Sequence, residues 1–316
     1  MSAKASPLAS PSATSAVLDR FGLSPKKRFG QNFLIDDGVV RRIVQLSGVN
    51  GDDDVLEVGP GIGTLSAALA ARARSLVAIE RDSDLIEVLE DTMGERSNFQ
   101  LVMRDALKVE QADIDAAGAA LRSRGVACAS PNKLVANLPY AVAATVVLDF
   151  FQRFSFMKSA TVMVQREVAE RMRAIPHTKE YGAYTVKLAL CAHVVESFRV
   201  GPGSFMPQPH VESTVIRLDR SQPVDEEGRP CAARIIRAAC EMADGAFFAR
   251  RKTIANSLRA SFTSRGDPAR SAVDEMLVVA GIDASVRGET LAPADFIRLG
   301  QALCMVRQAN GCAPVS

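Results

Sequence analysis

The chain has 316 residues, and its 38 Lys and Arg residues against 36 Asp and Glu residues give a formal net charge of +2. With 47% hydrophobic and 23% charged residues, it has the composition of a globular protein, which excludes a chain that is disordered or fibrous throughout. The longest apolar runs are far shorter than the roughly 20 residues of a membrane helix, so we expect no membrane span. Residues 51–150 carry an excess of acids and both flanking segments an excess of bases. This charge pattern permits an anionic partner without proving one.

The six cysteines follow no metal-binding or disulfide pattern. No Cys-x-x-Cys pair occurs, and none of the three histidines lies near a cysteine at ligand spacing. We therefore expect no metal site and no dense disulfide framework. Reduced thiols are typical of the cytoplasm, which is where we expect the protein to be.

The first elements in chain order predict a disordered tail followed by an α/β domain over residues 17–220. Residues 1–16 are mostly Ser, Ala and Pro and can bury little apolar surface. The candidate strands that follow are Val55–Val58, Leu76–Ile79, Leu101–Met103, Leu134–Ala136, Thr161–Val164 and His210–Leu218. The candidate helices between them are Thr64–Arg72, Asp84–Met93 and Ala143–Arg153. Such alternation favours a mainly parallel sheet with helices on both faces.

The last third of the chain predicts a second, smaller domain built only of helices. Residues 221–230 combine two prolines, a glycine and four charges, which is typical of a linker. The candidate helices beyond it are Ala232–Ala246, Arg251–Ser261, Ala269–Ala280 and Pro293–Val306. Their apolar spacing is helical, so we expect a helical domain over residues 231–316.

A glycine-rich turn follows the first strand of the α/β domain. The segment 54–64 predicts a buried strand that runs into Gly59, Gly61 and Gly63 and then into a helix. Glycine lets a backbone turn tightly and approach a ligand without a Cβ in the way. Open α/β sheets bind ligands at the carboxyl ends of their strands, so this turn predicts a ligand site. A glycine turn without any ligand is the non-functional alternative.

Acidic residues near this turn favour one cofactor over another. Glu80 ends the second strand at a distance that suits hydrogen bonds to two ribose hydroxyls, and Asp105 after the third strand can accept one from an adenine amino group. A dinucleotide prefers GxGxxG, whereas the spacing here is GxGxG with Pro60 inserted. Glu57, just before the turn, would repel a pyrophosphate but suits a cation. The sequence therefore favours S-adenosylmethionine, which carries a sulfonium and an ammonium group.

The tetrapeptide Asn137-Leu138-Pro139-Tyr140 follows the fourth candidate strand. The exocyclic amine of adenine is a poor nucleophile, because its lone pair is delocalised into the ring. Two acceptors on its N–H bonds, the Asn137 side-chain oxygen and the Leu138 carbonyl, would favour the nucleophilic geometry, and Pro139 fixes the backbone that presents them. Tyr140 offers a flat face on which an extruded base can stack. The non-functional alternative is a strand-end turn with a buried tyrosine.

These residues and several further blocks match a known family. The blocks are Lys27–Leu34, Leu56–Gly63, Ile79–Glu80, Asp105–Ala106, Asn137–Tyr140, Gln165–Met172, Tyr181–Gly182, Phe205–Ser213 and Arg250–Asn256. In this set and order, the chain resembles the ribosomal RNA adenine dimethylases, most closely their bacterial small-subunit group. The resemblance implies a Rossmann-like class I S-adenosylmethionine-dependent methyltransferase sheet with a small helical C-terminal domain.

The resemblance also implies a role for each matching residue. The methyl donor would be held by Gln31, Asn32, Leu34, Glu57, Gly59, Gly61, Gly63, Glu80, Asp105 and Asn137. The reacting base would meet Asn137, Leu138, Pro139 and Tyr140. The RNA would contact Phe205, Arg250, Arg251 and Lys252, and Phe205 together with His210 would lie on a stiff loop near the base. From residue types alone, the Phe29–Leu34 block is only a loop with a turn glycine.

The resemblance implies dimethylation of two adjacent adenosines near the 3′ end of 16S rRNA, in the pre-30S or 30S subunit, by a monomeric cytoplasmic enzyme. One alternative keeps the reaction but places it on large-subunit rRNA, where it would confer antibiotic resistance. Another is a ribosome-assembly factor that mainly binds, and a dehydrogenase is disfavoured by the GxGxG spacing. Two blocks depart from the family, since Ala141-Val142-Ala143 stands where polar Asn-Ile-Ser is usual and Pro176-His177 stands where Pro-Gly is common.

Overall fold

The structure, a computed structural model, describes residues 4–26 and 30–309. The strands are β1 (Phe33–Leu34), β2 (Asp54–Val58), β3 (Ser75–Glu80), β4 (Phe99–Met103), β5 (Lys133–Asn137), β6 (Ser159–Gln165), β7 (Ala192–Val200), β8 (Phe205–Met206) and β9 (Ser213–Arg220). The helices are α1 (Pro11–Arg20), α2 (Asp37–Ser47), α3 (Thr64–Ala70), α4 (Ile86–Met93), α5 (Gln111–Ser123), α6 (Ala143–Arg153), α7 (Arg166–Met172), α8 (Ala183–Ala189), α9 (Ala233–Phe247), α10 (Ile254–Arg265), α11 (Val273–Val279) and α12 (Pro293–Ala309). Within the described ranges, none of these helices has the length and apolar character needed to span a bilayer.

Seven of the strands form one mixed sheet in the order β4-β3-β2-β5-β6-β9-β7. Strands β2 to β6 pair in parallel, and β9 runs antiparallel to β6. All residues of β2 and β3 are buried, as expected for parallel strands that are covered on both faces. The predicted α/β fold is therefore confirmed. Chain order reverses between β2 and β5, which is where such sheets open a crevice for a ligand.

The segment predicted to be a disordered tail is ordered over its described part, residues 4–16. Ser10 caps α1 by accepting a hydrogen bond from the backbone N–H three residues on, and Pro11 takes a first-turn position that needs no N–H. The Asp37 carboxylate accepts hydrogen bonds from two backbone N–H groups of this segment, at 2.8 and 3.0 Å. Val17 packs into the core beside the sheet. The prediction failed because burial of scattered apolar residues is not visible in composition.

The described chain divides into two compact units, each made of two stretches. The first unit runs to Ala169 and resumes over Val194–Arg220, and the second comprises Glu170–His193 and the described residues from Ser221 onwards. The sequence pattern predicted a single boundary near residue 220, whereas in the structure the segment 170–193 also lies with the helices. Its Tyr181 hydroxyl donates to the Leu291 carbonyl at 2.7 Å, and its Val186 is fully buried in the core of the helical unit. These contacts explain why the segment belongs with the helices.

The predicted linker over residues 221–230 is an ordered turn. Val224 and Pro230 form an antiparallel bridge, and between them Asp225 accepts hydrogen bonds from the backbone and side chain of Arg229. Prolines and charges here therefore build a local turn within the second unit.

Candidate functional site

A cavity of about 320 Å³ lies in the first unit, at the carboxyl ends of β2, β3 and β5 and beside the turn after β4. This volume is at the lower end of pockets that hold small molecules, which are about 300–1,000 Å³. Predicted donor residues that line the cavity are Gln31, Asn32, Leu34, Glu57, Gly59, Gly61, Glu80, Asp105 and Asn137. Leu138, Pro139 and Tyr140, the other residues of the tetrapeptide, line it too. The fold thus brings together at one cavity residues that lie between positions 31 and 140 of the sequence.

Two glycines of the turn after β2, Gly59 and Gly61, line this cavity. Gly59, Gly61 and Gly63 have φ angles of 70°, 59° and 88°, in the left-handed region that side chains rarely adopt. The Gly59 N–H donates to the Ile79 carbonyl at 2.9 Å, and a Cβ added at Gly59 would lie 3.5 Å from Pro139. Gly59 therefore joins β2 to β3 and leaves room beside the tetrapeptide. Gly63 lies outside the cavity lining and is the N-cap residue that precedes α3.

Glu57 is buried directly behind the glycine turn. Only 1% of its surface is exposed, and the Ser66 hydroxyl donates to its Oε2 at 2.6 Å. Burial raises the pKa of Glu57 to about 8, because the Ser66 hydrogen bond offsets only part of the cost of desolvating the charge. The carboxyl group is therefore mostly protonated at neutral pH. A cation placed beside it would favour the ionised form.

Glu80 ends β3 and is held by the backbone. Its Oε1 accepts from the N–H groups of Arg81 and Asp82, both at 2.8 Å. Burial raises the pKa of Glu80, and these hydrogen bonds, with a further one from the Gly61 N–H, oppose the rise. Fixed in this way at the cavity wall, the carboxylate can accept hydrogen bonds from the hydroxyl groups of a ligand.

Asp105 lies at the opposite rim, after β4. Its side chain accepts from the Leu107 N–H at 3.0 Å and lies 3.7 Å from the Arg81 guanidinium. The exposed fraction of this side chain is 33%. Asp105 thus remains an accessible acceptor at the edge of the cavity, on the far side from the tetrapeptide.

A short segment, Gly30–Leu34, forms one wall of the cavity. Its end is fixed by β1, in which Leu34 pairs with Phe205 of β8. Gln31 donates from Nε2 to Asp82 at 2.8 Å, and Asn32 donates from Nδ2 to the Gly30 carbonyl at 3.0 Å. The wall is therefore held to the core on one side and to the turn after β3 on the other.

The tetrapeptide projects from the end of β5 with its asparagine oriented by the wall. Asn137 Nδ2 donates to the Asn32 backbone carbonyl at 3.2 Å, so that its Oδ1 is left to act as an acceptor. The Pro139 carbonyl accepts from two N–H groups at the start of α6, which fixes the turn. The Tyr140 hydroxyl shares a 2.7 Å hydrogen bond with Ser213, while burial raises the pKa of the phenol and keeps it protonated.

Thr64, the first residue of α3, is a cavity residue that the sequence analysis did not single out. Its Oγ1 is buried and has no hydrogen-bond partner among the residues that the structure describes. An unpaired buried hydroxyl costs free energy, so a bound group that supplies a partner would be favoured. The available signal was its place directly after Gly63, which is too common a pattern to be decisive.

Comparisons with known proteins agree with this geometry. A family model described as "Ribosomal RNA adenine dimethylase" matches residues 22–284. The chain belongs to the ribosomal RNA adenine dimethylase family. The family expected from the sequence blocks is thereby confirmed.

Among curated members of this family, two similar proteins are named ribosomal RNA small subunit methyltransferase A. The one from Geobacillus thermodenitrificans is 38% identical, with 94% of this chain and 97% of that protein covered. The one from Nocardia farcinica is 40% identical, with 92% of this chain and 94% of that protein covered.

A solved structure of the 23S rRNA methyltransferase ErmE is 26% identical, with a TM-score of 0.58 over 86% of this chain and 100% of that chain. A dimethyladenosine transferase from Plasmodium falciparum, at 20% identity and a TM-score of 0.67, covers 88% of this chain and 98% of that chain and shares the fold. The class I methyltransferase fold of the family is therefore present here.

Phe205 is not where the sequence analysis expected it within this dimethylase fold. The sequence pattern predicted that Phe205 lies on a stiff loop near the base. Its side chain is instead only 2% exposed, and Phe205 pairs with Leu34 in the β1–β8 ribbon. It lies in the core and outside the cavity lining, which differs from the predicted contact with RNA from a loop near the base. The ring supports the cavity wall instead. His210 is exposed, and the mechanism does not require it.

The three basic residues after α9, Arg250 to Lys252, differ in their contacts. The Arg250 guanidinium pairs with Glu289 at 3.0 Å and donates to the carbonyls of Thr178 and Lys179, all within the second unit. Arg251 and Lys252 are exposed. The structure therefore gives Arg250 an intramolecular role, whereas its two neighbours are exposed. The basic residues Lys27 and Arg28, and Phe29 beside them, lie outside the described residues.

Proposed function

We propose that this chain transfers methyl groups from S-adenosylmethionine to N6 of two adjacent adenosines near the 3′ end of 16S rRNA, in the assembling small subunit. The observation that carries the proposal is the meeting of the Asn137–Tyr140 tetrapeptide with Gly59 and Glu80 at one cavity. A methyl donor and a target base need to meet at such a point, because transfer between them depends on alignment. The naming of relatives at 38–40% identity after the small subunit supports this substrate.

The residues of the cavity fit S-adenosylmethionine. Glu80 and Asp105 offer acceptors at opposite sides, for the ribose hydroxyls and the adenine amine, and the glycine turn leaves space for the methionine part. Glu57 places a carboxyl group that can ionise behind that turn, and the buried Thr64 hydroxyl has no hydrogen-bond partner among the described residues, so a ligand can supply one. The donor supplies an electrophilic methyl group on its sulfonium.

The tetrapeptide would orient the target amine. Asn137 Oδ1 accepts one N–H of the adenine amino group, and the Leu138 carbonyl accepts the other. The turn after Pro139 and the hydrogen bond between Tyr140 and Ser213 keep both acceptors and the aromatic ring in place. Methyl transfer that depends on alignment requires no side chain to act as a general acid or base before the methyl group moves.

Donor binding should weaken as pH falls below 8. In the ligand-free protein burial raises the pKa of Glu57 to about 8, whereas a bound ammonium or sulfonium group favours the ionised carboxylate. Binding therefore releases a proton, and the association constant should fall by up to about tenfold for each pH unit below that pKa. Calorimetric titration with S-adenosylmethionine from pH 6 to 8 measures this slope.

The matched variant for that titration is Glu57→Gln, which keeps the acceptor for Ser66 but cannot ionise. We expect its donor affinity to be nearly flat over the same range. Equal slopes for the variant and the wild type would remove Glu57 as the origin of the pH dependence and leave Glu80, whose pKa burial also raises.

Arg251 and Lys252 should contribute phosphate contacts. Replacing both with Ala should weaken binding to small-subunit RNA and reduce the slope of log K against log salt by roughly 2. Arg270→Ala, which removes another exposed charge of the second unit, is the control and should change the slope by less than 1. Arg250→Ala should mainly lower the melting temperature, since Arg250 pairs with Glu289. Filter binding at several salt concentrations checks this, and an unchanged slope in the double variant would contradict it.

The function itself is tested with small subunits from a strain that lacks the modification. The purified protein and S-adenosylmethionine should yield dimethyladenosine at two adjacent 16S positions, read by mass spectrometry. Large subunits from a sensitive strain are assayed in parallel, because the 23S rRNA methyltransferase ErmE is 26% identical. Methylation of 23S rRNA alone, or binding to subunits without transfer, would overturn the proposal in favour of a resistance enzyme or an assembly factor. We expect a monomer that acts in the cytoplasm, and sedimentation checks the oligomeric state.

A further inference from the structure

A buried carboxylate outside the cavity joins two of its walls. Asp82, only 3% exposed, follows β3 and does not line the cavity. Its backbone N–H donates to Glu80 Oε1 at 2.8 Å, which helps to fix the carboxylate proposed to hold the ribose. Its side chain accepts from Gln31 Nε2 at 2.8 Å, and Gln31 belongs to the wall over the donor.

Lys26 stabilises the ionised carboxylate of Asp82. Its Nζ lies 2.6 Å from Asp82 Oδ1 and 2.5 Å from Asp84 Oδ2, and its backbone N–H donates to Gln31 Oε1 at 2.9 Å. Burial would raise the pKa of Asp82, but the hydrogen bonds from Lys26 and Gln31 outweigh it and hold the pKa below its usual value. Asp82 is therefore ionised at neutral pH, and a buried ionised carboxylate needs such partners.

The two neighbouring aspartates are not equivalent. Asp84 is 50% exposed and touches Lys26 at the surface, whereas Asp82 is buried and touches Lys26, Gln31 and, through its backbone, Glu80. A charge change at Asp84 thus removes one of the two carboxylates that contact Lys26, but it leaves the contacts of Asp82 with Lys26 and Gln31 in place. The same change at Asp82 alters the hydrogen bond that ties Gln31 directly to the turn carrying Glu80.

We propose that Asp82 is a positioning residue for the methyl donor: it holds the cavity wall at Gln31 and the ribose carboxylate Glu80 in one arrangement, with Lys26 as its counter-ion. The inference rests on the proposed function, since it takes S-adenosylmethionine as the ligand. It assigns Asp82 and Lys26 a role in donor affinity, although neither lines the cavity.

Asp82→Asn keeps the size and one acceptor but removes the charge. We expect the dissociation constant and the KM for S-adenosylmethionine to rise about tenfold, while kcat at saturating donor stays within about twofold. A purely structural role would lower the melting temperature and the active fraction without this split between KM and kcat. Asp84→Asn is the matched control, and its KM should change by less than about twofold.

Lys26→Met keeps the proposal testable if Asp82→Asn folds poorly. We expect it to raise the dissociation constant, and we expect its effect to be non-additive with Asp82→Asn, because both variants break one ion pair. The role of Asp82 would be overturned if both single variants bound S-adenosylmethionine as tightly as the wild type does. Fully additive effects of the two substitutions would overturn it as well. Failure of the wild type to bind S-adenosylmethionine would instead overturn the proposed function.

Discussion

We expect Asn137→Ala to lose methyl transfer by a factor of about 100–1,000 while its affinity for S-adenosylmethionine changes severalfold at most. The side chain is oriented by the Asn32 carbonyl, which accepts from Nδ2 at 3.2 Å, and its Oδ1 is the acceptor proposed for the target amine. Alanine removes an interaction that aligns the amine with the methyl group, so the loss should appear in kcat. Single-turnover methylation of small subunits measures it.

Asn137→Asp is the control for this experiment. It keeps an acceptor oxygen but turns a carboxylate towards the Asn32 carbonyl, which repels it, so we expect an intermediate rate. Calorimetric titration with the donor verifies that the variants still bind it. A rate for Asn137→Ala within about threefold of wild type would contradict the assigned role.

Glu80→Ala should reduce donor affinity by about 100-fold. The variant loses both ribose hydrogen bonds and leaves the backbone N–H groups of Arg81 and Asp82, which donate to Glu80 at 2.8 Å, without their acceptor. Because the ribose is remote from the reacting methyl group, the KM for the donor should rise far more than kcat falls. Donor titrations of the methylation rate separate the two constants.

Glu80→Gln offers the matched comparison, since it keeps one acceptor oxygen at the same length. We expect a loss of affinity of about tenfold, because an uncharged oxygen makes weaker hydrogen bonds to the same groups. Equal affinities for the wild type and both variants would show that the ribose does not bind at Glu80. A melting curve for each variant excludes unfolding as the cause.

The sequence predicted the parts of this protein that depend on local pattern. The buried strands around Val55–Val58 and Leu76–Ile79 stand out as apolar runs next to turns, and parallel topology then brings their carboxyl ends together. Glu57, Glu80 and Asn137 could therefore be placed at one site from spacing alone, and the structure has all three at the cavity.

The remaining features depend on contacts between distant segments. Phe205 looked like a loop residue because nothing near it in sequence reveals that it pairs with Leu34, some 170 residues earlier. The link from Gln31 to Asp82 spans 51 positions and was invisible for the same reason. At the N terminus, Ser10 followed by Pro11 was a readable helix start, but the low apolar content of the segment concealed it.

The division of the chain into units limits how this enzyme can be dissected or recombined. The chain passes between the units three times, at residues 169–170, 193–194 and 220–221. A truncation at Arg220 would thus retain the segment 170–193 while deleting the helices against which its Tyr181 and Val186 are buried. Exchanging the helical part with that of a relative requires two grafts rather than one. Because residues 194–220 of the first unit separate the two stretches of the helical part, that part cannot be gained or lost in evolution as a single C-terminal segment.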